Sequence, residues 1–391
     1  MLKFFKSKYG DIRGASRKSL LVIGGVFIVA VVLITVAMSG SRVLVISNEP
    51  ATSTADSSGT LTLSPINTST YNQKLDSLAN NSSTTGATST TVITDVATGT
   101  AIRASSTGVA PLPRSIANLW PVKTAPVPGP GALLPFNRIV AYYGNFYSTQ
   151  MGVLGEYSTS TVLAKLEGEV KNWQAADPST PVIPAIEYID VTAQGSPGKD
   201  GKYRLRMPDS QIDKALAMAA QVNGIVILDL QVGQSDVQSE LPLLDNYLKM
   251  PQVEIALDPE FSMKYGNVPG TVIGTMDATD INYTANYLAA IVKANNIPPK
   301  ILVVHRFTEN MVTNYKKITP LPEVEIVMDM DGWGSQAKKI GTYNSVIAPE
   351  PVQFTGFKLF YKNDLLPPST GMLTPAQILK LTPQPIFIQY E

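Results

Sequence analysis

The segment VEIALDPE, residues 253–260, sets the pattern that decides the fold: an apolar run that finishes on charged side chains. Three further segments repeat it, namely GIVILDLQ (224–231), KILVVHRF (300–307) and VEIVMDMDGWG (324–334). Strands that are buried on both faces read as near-continuous apolar runs, which is typical of parallel sheets covered by helices. Polar residues at the carboxyl ends of such strands build the active sites of (β/α)8 barrels. The pattern therefore predicts the position of a site but not its chemistry.

Eight strand candidates occur between residues 135 and 391, a stretch close to the roughly 250 residues of a (β/α)8 barrel. The other four are RIVAYYGNF (138–146), PVIPAIEYI (181–189), GFKLFY (356–361) and PIFIQYE (385–391). Amphipathic segments at 208–224, 277–296 and 373–381 predict helices between them, with Asp209 or Ser210 capping the first and Thr374 the last. We predict an α/β fold, a TIM-type (β/α)8 barrel. An open doubly wound sheet is the alternative, although no Gly-rich phosphate loop follows the first strand.

Composition excludes several classes of function. Lys plus Arg and Asp plus Glu are balanced at 31 each, so no overall charge favours nucleic acid as a partner. The chain has no cysteine, which removes disulfides, thiolate nucleophiles and cysteine-ligated zinc. Its single histidine, His305, excludes metal sites that need several imidazoles. We therefore expect no cofactor and no transition-metal site.

The N-terminal region predicts a membrane anchor. Residues 19–38 form an uncharged apolar stretch of about 20 residues, enough to span the hydrocarbon core of a bilayer. Six basic residues and one acid precede it in residues 1–18, so the positive-inside rule places the N-terminus in the cytoplasm and the rest outside. A cleaved signal peptide is the alternative, but its apolar core is usually only about 7–15 residues long.

Two connecting segments follow the anchor. Residues 39–108 are rich in Ser and Thr and predict a flexible linker, because such a composition cannot bury enough surface to offset ordering entropy. LTLS and TTVIT within it leave a few weak strands as the alternative. Residues 109–134 are Pro-rich, and we expect this lead-in to pack on the barrel domain, 135–391, through Leu119 and Trp120.

Side chains alternate on a strand, so Asp258 lies on the same side as Glu260, Asp229 as Gln231, and Asp329 as Asp331. If these pairs face the barrel axis, several carboxylates share one pocket. Such crowding raises the pKa of some carboxyl groups and leaves others ionised, so that one can act as an acid and another as a base. The alternative is that one acid of each pair caps a helix. We predict Glu260 and Asp258 as catalytic residues. The predicted substrate-binding residues are Tyr143, Glu187, Asp229, Gln231, His305, Asp329, Asp331, Trp333, Lys358, Tyr361 and Tyr390.

The aromatic members of this set suit stacking on a sugar ring while nearby carboxylates bind its hydroxyls. Trp333 stands between two glycines that allow the backbone to present the ring, whereas simple rim packing is the alternative for each tyrosine. The long basic loop after the second strand, residues 190–209, is a candidate specificity loop or a solvated surface loop.

The pattern resembles glycoside hydrolases over about the last 255 residues, and Asp258-Pro259-Glu260 is similar to the D-x-E that ends strand four of chitinase-like glycosidases. That resemblance implies Glu260 as general acid. The wider D-x-x-D-x-D-x-E is not met, since only Glu254 and Asp258 occupy comparable acidic positions. Strand seven also lacks the nucleophilic glutamate of the large retaining clan and offers Lys358, Tyr361 and Asp364 instead. The LDPEF, HRF and MDGWG segments are also similar to those of secreted actinobacterial-type barrel proteins of unassigned activity.

The sequence therefore favours a membrane-anchored, extracytoplasmic, glycoside-hydrolase-like protein that acts on a cell-envelope or environmental polysaccharide. A non-catalytic glycan-binding or envelope-scaffold barrel is the alternative, and the missing strand-seven glutamate supports it. A third hypothesis is a site for a hard cation built from Asp229, Asp258, Glu260 and Asp331. The sequence does not determine the oligomeric state, the substrate or the stereochemistry.

Overall fold

The computed structural model describes residues 63, 65–80, 116 and 118–391, all of which lie in one compact unit. Eight parallel strands form its centre: β1 (Arg138–Gly144), β2 (Val182–Ala193), β3 (Ile225–Leu230), β4 (Val253–Leu257), β5 (Lys300–Arg306), β6 (Val324–Met330), β7 (Phe354–Leu359) and β8 (Phe387–Tyr390). Each strand pairs in parallel with the next, and β1 pairs with both β2 and β8. The sheet is therefore a closed barrel, which confirms the predicted (β/α)8 architecture over the open sheet.

Nine α-helices are described: α1 (Thr68–Leu78), α2 (Val153–Glu156), α3 (Thr159–Ala176), α4 (Asp209–Gln221), α5 (Val237–Glu240), α6 (Asp245–Leu248), α7 (Ala278–Asn295), α8 (Gln336–Thr342) and α9 (Pro375–Ile378). A π-helical turn, Tyr343–Ile347, continues α8. The short strand Arg204–Arg206 pairs antiparallel with β2, and Met276–Asp277 pairs with Val312–Thr313. The long helices α3, α4 and α7 follow β1, β2 and β4, so they pack on the outside of the barrel.

Of the two helix starts for which the sequence predicts a cap, the one at Thr374 is confirmed. At α7, Asp277 and Asp280 form a reciprocal capping box, and at α9 the side chain of Gln377 accepts the amide of Thr374 at 2.9 Å. The start of α4 differs by one residue: its N-cap is Pro208, which has no side chain able to accept a hydrogen bond. The prediction of Asp209 or Ser210 as that cap is therefore wrong.

The barrel interior is mostly apolar at its N-terminal half, where Glu254 and Glu325 are buried among apolar side chains. Inward side chains there form one buried cluster: Ile139, Ala141, Ala185, Ile227, Ala256, Val303, Val327 and Phe387. A second, larger cluster fills the layer between the strands and the outer helices. The lower interior is thus a packed core, as expected for this fold. Most of the polar side chains of the interior lie in the upper half.

Helix α1 covers the N-terminal end of the barrel. Tyr71 is 1% exposed and belongs to the same interior cluster as Leu134. The amides of Leu133 and Leu134 donate to the buried carboxyl group of Glu325 at 3.0 and 2.7 Å, and burial raises the pKa of this group to about 8. Residues 65–80 fall inside the predicted flexible linker, 39–108, so that prediction does not hold for this stretch. Its polar composition concealed the helix, because packing of Tyr71, Leu75 and Leu78 on the barrel stabilises it rather than helix propensity.

The Pro-rich lead-in packs on the barrel through Trp120, as expected. Trp120 is buried and its indole Nε1 donates to the carbonyl of Ala348 at 2.8 Å, whereas Leu119 is exposed. Within the described part of the chain, no helix combines the length and apolarity needed to cross a bilayer. The predicted anchor at 19–38 lies outside the described residues.

Candidate functional site

The upper half of the barrel interior is filled by polar side chains from seven strands. These are Tyr143, Glu187, Asp229, His305, Asp329, Lys358 and Gln389, each 4% exposed or less. Gln231, Asp258 and Asp331 follow directly after β3, β4 and β6 and are 2%, 2% and 7% exposed. Of these ten polar side chains at the C-terminal mouth, nine were predicted from the sequence, the exception being Gln389.

His305 is bonded through both ring nitrogens. Nδ1 lies 3.1 Å from Asp329 Oδ2, and Nε2 lies 3.0 Å from Glu187 Oε1, with all three side chains fully buried. Burial alone lowers the pKa of His305, but the hydrogen bonds with Asp329 and Glu187 outweigh it and hold this pKa well above its usual value. The ring is therefore an imidazolium that donates from both nitrogens.

Asp329 is accommodated by a glycine on the neighbouring strand. Gly356 of β7 pairs with Asp329 of β6, and a Cβ at position 356 would lie 2.5 Å from Asp329 Oδ1. Burial raises the pKa of Asp329, and the hydrogen bond from His305 offsets part of that rise. The need to fit a buried carboxyl group explains a glycine in the middle of a barrel strand.

A second chain of hydrogen bonds links β1, β3 and the end of β4. The Tyr143 hydroxyl donates to Asp229 Oδ2 at 3.0 Å, and Gln231 Nε2 donates to the Tyr143 hydroxyl at 3.1 Å and to Asp258 Oδ2 at 3.3 Å. Burial raises the pKa of Asp229 to about 7, with opposing contributions from His305 and Glu187. Asp229 thus takes up a proton near neutral pH, unlike an ordinary aspartate.

Lys358 supplies the second cation of the mouth. Its Nζ lies 3.1 Å from Asp331 Oδ1, 2.9 Å from Glu391 Oε2 and 3.9 Å from the ring centroid of Tyr143. Burial lowers the pKa of Lys358, but the charges of Asp331 and Glu391 more than compensate and hold it well above its usual value. Lys358 is therefore a charged ammonium between two carboxylates and an aromatic face.

Asp258, Glu260 and Asp331 form a carboxylate trio, in which one oxygen from each residue lies within 4.8 Å of the others. Burial, Asp229 and Glu260 raise the pKa of Asp258 well above its usual value. Asp258 is buried, whereas Glu260 is half-buried and accessible. The trio has the oxygen spacing that a hard cation requires, and Asp229 is not part of it.

The backbone at Asp258 and Glu260 is not the continuous strand that the alternation argument assumed. Strand β4 ends at Leu257, and Pro259–Phe261 form a 3-10 helix capped by Asp258, whose Oδ1 accepts the amide of Glu260 at 3.1 Å. Strand alternation therefore does not place Asp258 and Glu260 on one side, and that reasoning was wrong. The turn brings the two carboxyl groups together by another route, and Asp258 acts as cap and site residue at once.

Several predicted aromatic residues lie elsewhere. Tyr390 accepts a hydrogen bond from the indole of Trp173 at 2.9 Å, and Tyr361 stacks on Tyr390 and donates to Glu169 at 2.7 Å. Both tyrosines therefore lie in the layer between the barrel and α3, outside the mouth. Trp333 is half-buried beside the mouth, and the ammonium of Lys338 lies 4.7 Å from its ring centroid. Of the predicted aromatic contacts, the structure leaves Tyr143 and Trp333 near the site.

The basic loop after β2 is partly neutralised by the protein itself. Arg204 and Arg206 both bind Glu240, at 2.8 and 2.6 Å, while Lys199 and Lys202 are exposed. The loop therefore offers the mouth less positive charge than its sequence suggested.

Two residues of the mouth were missed, Gln389 and Glu391. The sequence contained the signal, because Gln389 and Glu391 alternate in PIFIQYE and therefore share one side of the strand. Both amide atoms of Gln389 and one carboxyl oxygen each of Glu187, Asp229 and Asp329 are buried without a hydrogen-bond partner among the described residues. The site thus contains acceptors that no other described residue satisfies.

The similarities of this chain to known proteins are distant. No protein-family model matches the chain, and no curated protein matches it. Among solved structures, it is similar to a cellulase (14% identity, TM-score 0.35, covering 57% of this chain and 65% of that one). It is also similar to a Bacillus subtilis mannanase (12% identity, TM-score 0.35, covering 65% of this chain and 79% of that one). The chain spans just under two thirds of the cellulase, and likenesses this distant carry no argument about activity.

Proposed function

We propose that this protein is a glycoside hydrolase whose active site is the C-terminal mouth of the barrel. The observation that carries the proposal is the trio Asp258, Glu260 and Asp331, whose oxygens lie within 4.8 Å of one another beside the ends of β4 and β6. The carboxyl group of Asp258 has a pKa well above its usual value, so this part of the mouth can hold a proton for acid catalysis on a glycosidic bond.

The two residues of the 3-10 turn act together as the acid. Glu260 is the accessible member, and Asp258 lies beneath it with a raised pKa. Because two carboxyl groups this close do not both ionise readily, the pair retains a proton at neutral pH. Glu260 delivers that proton to the leaving oxygen as the bond to the anomeric carbon breaks, and Asp258 supports its protonation.

The spacing of the trio favours a retaining mechanism. Retaining glycosidases hold their two carboxyl groups about 5–5.5 Å apart, whereas inverting enzymes need about 6.5–9.5 Å for a water. Asp331, paired with Lys358, is the partner that bonds to the anomeric carbon while Glu260 protonates the leaving oxygen. A water then displaces Asp331 and returns its proton to Glu260. The nucleophile therefore comes from β6, which explains why no glutamate is needed after β7.

Release of reducing ends from a panel of α- and β-linked glycans tests this function with wild type and Asp258→Asn. We expect cleavage of at least one glycan and a loss of roughly 100-fold or more in Asp258→Asn. Because the substitution removes a buried carboxyl group that is costly to ionise, the variant should melt at or above the wild-type temperature. Product from Asp258→Asn at the wild-type rate would show that Asp258 does not support the protonation of Glu260.

A second candidate is a glycan-binding barrel without chemistry, and the burial of the deeper acids favours it. Glu187, Asp229 and Asp329 are fully buried and bonded to His305 or Tyr143, so they do not meet a ligand directly. In that case glycan binding is lost in Trp333→Ala and retained in Asp258→Asn, with no product from wild type.

We also propose that residues 19–38 anchor the chain in a membrane with the barrel on the outer side. The support is the uncharged apolar stretch and the six bases before it. Protease added to intact cells should then remove the barrel while a tag at residue 1 stays protected. Release of the barrel by salt alone, or a protected barrel, would contradict the anchor.

A further inference from the structure

A buried ion pair joins the segments that follow β6 and β7. The side chains of Lys339, on α8, and Asp364 are each 1% exposed, and the Lys339 ammonium lies 2.8 Å from Asp364 Oδ2. Burying two charges costs free energy that their attraction only about offsets, so an apolar pair of similar size would stabilise the fold as well. The proposed hydrolysis uses neither residue. We therefore expect the pair to have a role other than stability.

Asp364 links the two segments through their backbones. Its Oδ1 accepts the amide of Gly334 and its Oδ2 accepts the amide of Phe360, both at 2.9 Å. Gly334 directly follows Trp333, and Phe360 directly follows the last residue of β7. A carboxylate can accept two amides and an ammonium at once because it has two acceptor oxygens, whereas the amide of asparagine has only one. Asp364 thus fixes the backbone beside Trp333.

Lys339 fixes the backbone of Lys358. Its ammonium donates to the Lys358 carbonyl at 2.7 Å and lies 4.9 Å from the ring centroid of Phe360. The Lys358 ammonium lies 5.0 Å from the same ring and 3.1 Å from Asp331 at the mouth. The buried pair therefore holds Lys358 at the residue whose own side chain contacts the proposed nucleophile.

The pair is also coupled to the mouth through charge. Burial lowers the pKa of Lys339, and the negative charges of Asp364, Asp331 and Asp329 oppose that lowering. Asp331 and Asp329 belong to the mouth, so the Lys339 ammonium contributes positive potential there. Lys339 is thus connected to the mouth by electrostatics as well as by hydrogen bonds.

We infer that Lys339 and Asp364 are positioning residues of the glycan site, which act through Trp333 and Lys358. Together they fix the distance between the Trp333 ring and the ion pair of Lys358 with Asp331. A sugar that stacks on this ring then presents its anomeric carbon to Asp331. This inference rests on the proposed glycan function and adds two buried residues that touch no substrate.

Two variants separate positioning from stability. Lys339→Met leaves Asp364 charged and buried without its cation, so it should lower the melting temperature. The double variant Lys339→Met with Asp364→Asn contains no uncompensated buried charge, so it should melt well above the single variant. It still loosens both segments, because one acceptor oxygen replaces two and the ammonium is gone. Lys171→Met, the same change on the exposed face of α3, is the control.

Titration of the full chain with the same glycan panel, followed by tryptophan emission, measures the positioning. Trp120 and Trp173 are buried and Trp333 is half-buried, so loss of the signal in Trp333→Phe identifies the ring at the mouth. The double variant should bind a responding glycan about threefold to tenfold more weakly, the contribution of one aromatic contact. On a glycan that the wild type cleaves, kcat should fall roughly 100-fold, as a misplacement of about 1 Å causes. Lys171→Met should retain both values.

The outcomes separate this inference from the proposed hydrolysis. Wild-type affinity and kcat in the double variant would overturn the positioning role and leave hydrolysis standing. Binding without cleavage by the wild type, with weaker binding by the double variant, would overturn hydrolysis and leave the positioning role standing. A double variant that melts no higher than Lys339→Met would show that the pair acts on stability, and it would overturn the inference. Wild-type emission that no glycan of the panel changes would also overturn it, because Trp333 would then contact no sugar.

Discussion

Replacing His305 with alanine should destabilise the barrel strongly. The substitution removes a buried imidazolium that donates to Asp329 at 3.1 Å and to Glu187 at 3.0 Å, and it leaves both carboxylates buried without a cation. Breaking a buried ion pair from one side costs about 3–5 kcal/mol. For a domain of this size the melting temperature falls by about 2–4 °C per kcal/mol, so we expect a decrease of about 6–20 °C.

A mutant cycle separates the charge from the cavity that alanine leaves. In a Glu187→Gln and Asp329→Asn background, the carboxylates are neutral and nearly unchanged in shape, so His305→Ala should cost much less than in the wild type. Thermal unfolding of the four proteins at neutral pH measures this coupling. An equal loss in both backgrounds would mean that His305 acts by filling space, and it would refute the account of a charged ring.

Burial raises the pKa of Asp229 to about 7, so the folded state keeps a proton that the unfolded chain releases near pH 4. Stability should therefore fall as pH rises from about 4 to about 7, and Asp229→Asn should flatten that slope in thermal melts; a wild-type slope that the variant leaves unchanged would count against it. A Cβ at Gly356 would meet a carboxyl oxygen at 2.5 Å, so Gly356→Ala should cost about 1–3 kcal/mol in urea unfolding. Gly341→Ala, whose Cβ meets nothing within 4 Å, should be neutral or stabilising, and similar losses in both would be inconsistent with the packing described. Tyr71→Ala should cost about 2–5 kcal/mol, because the ring is buried under the barrel, whereas Tyr265→Ala at an 85% exposed position should change stability by less than about 0.5 kcal/mol. A harmless Tyr71→Ala would mean that α1 does not belong to the folded domain.

The barrel could be predicted from the sequence because its strands are buried on both faces. Such strands keep long apolar runs, and their polar residues stand out at the carboxyl ends, as Asp229 and His305 do. The cap signal at Thr374 was equally visible, since capping chemistry is local. Local signals therefore gave the order and number of the eight barrel strands and the positions of three of the helices.

Features that depend on tertiary contacts could not be predicted. Helix α1 lies in a Ser- and Thr-rich segment and depends on the docking of Tyr71, Leu75 and Leu78. Tyr390 neighbours Gln389 on β8. Alternation predicts that one of the two side chains faces the barrel interior and the other the helices, but it does not determine which one faces the interior. Pro259 starts a 3-10 turn, which breaks the alternation that the strand reading of Asp258 and Glu260 assumed.

Proton delivery by Glu260 is the central claim, and the ratio of kcat/KM between wild type and Glu260→Gln tests it most directly. On a glycan that the wild type cleaves, we expect a loss of roughly 100- to 10,000-fold, with a nearly unchanged melting temperature because Glu260 is partly exposed. The matched charge change Glu167→Gln on α3 should keep full activity. Wild-type activity in Glu260→Gln, or a wild type that cleaves no glycan in the panel, would contradict the assignment of this mouth as a hydrolytic site.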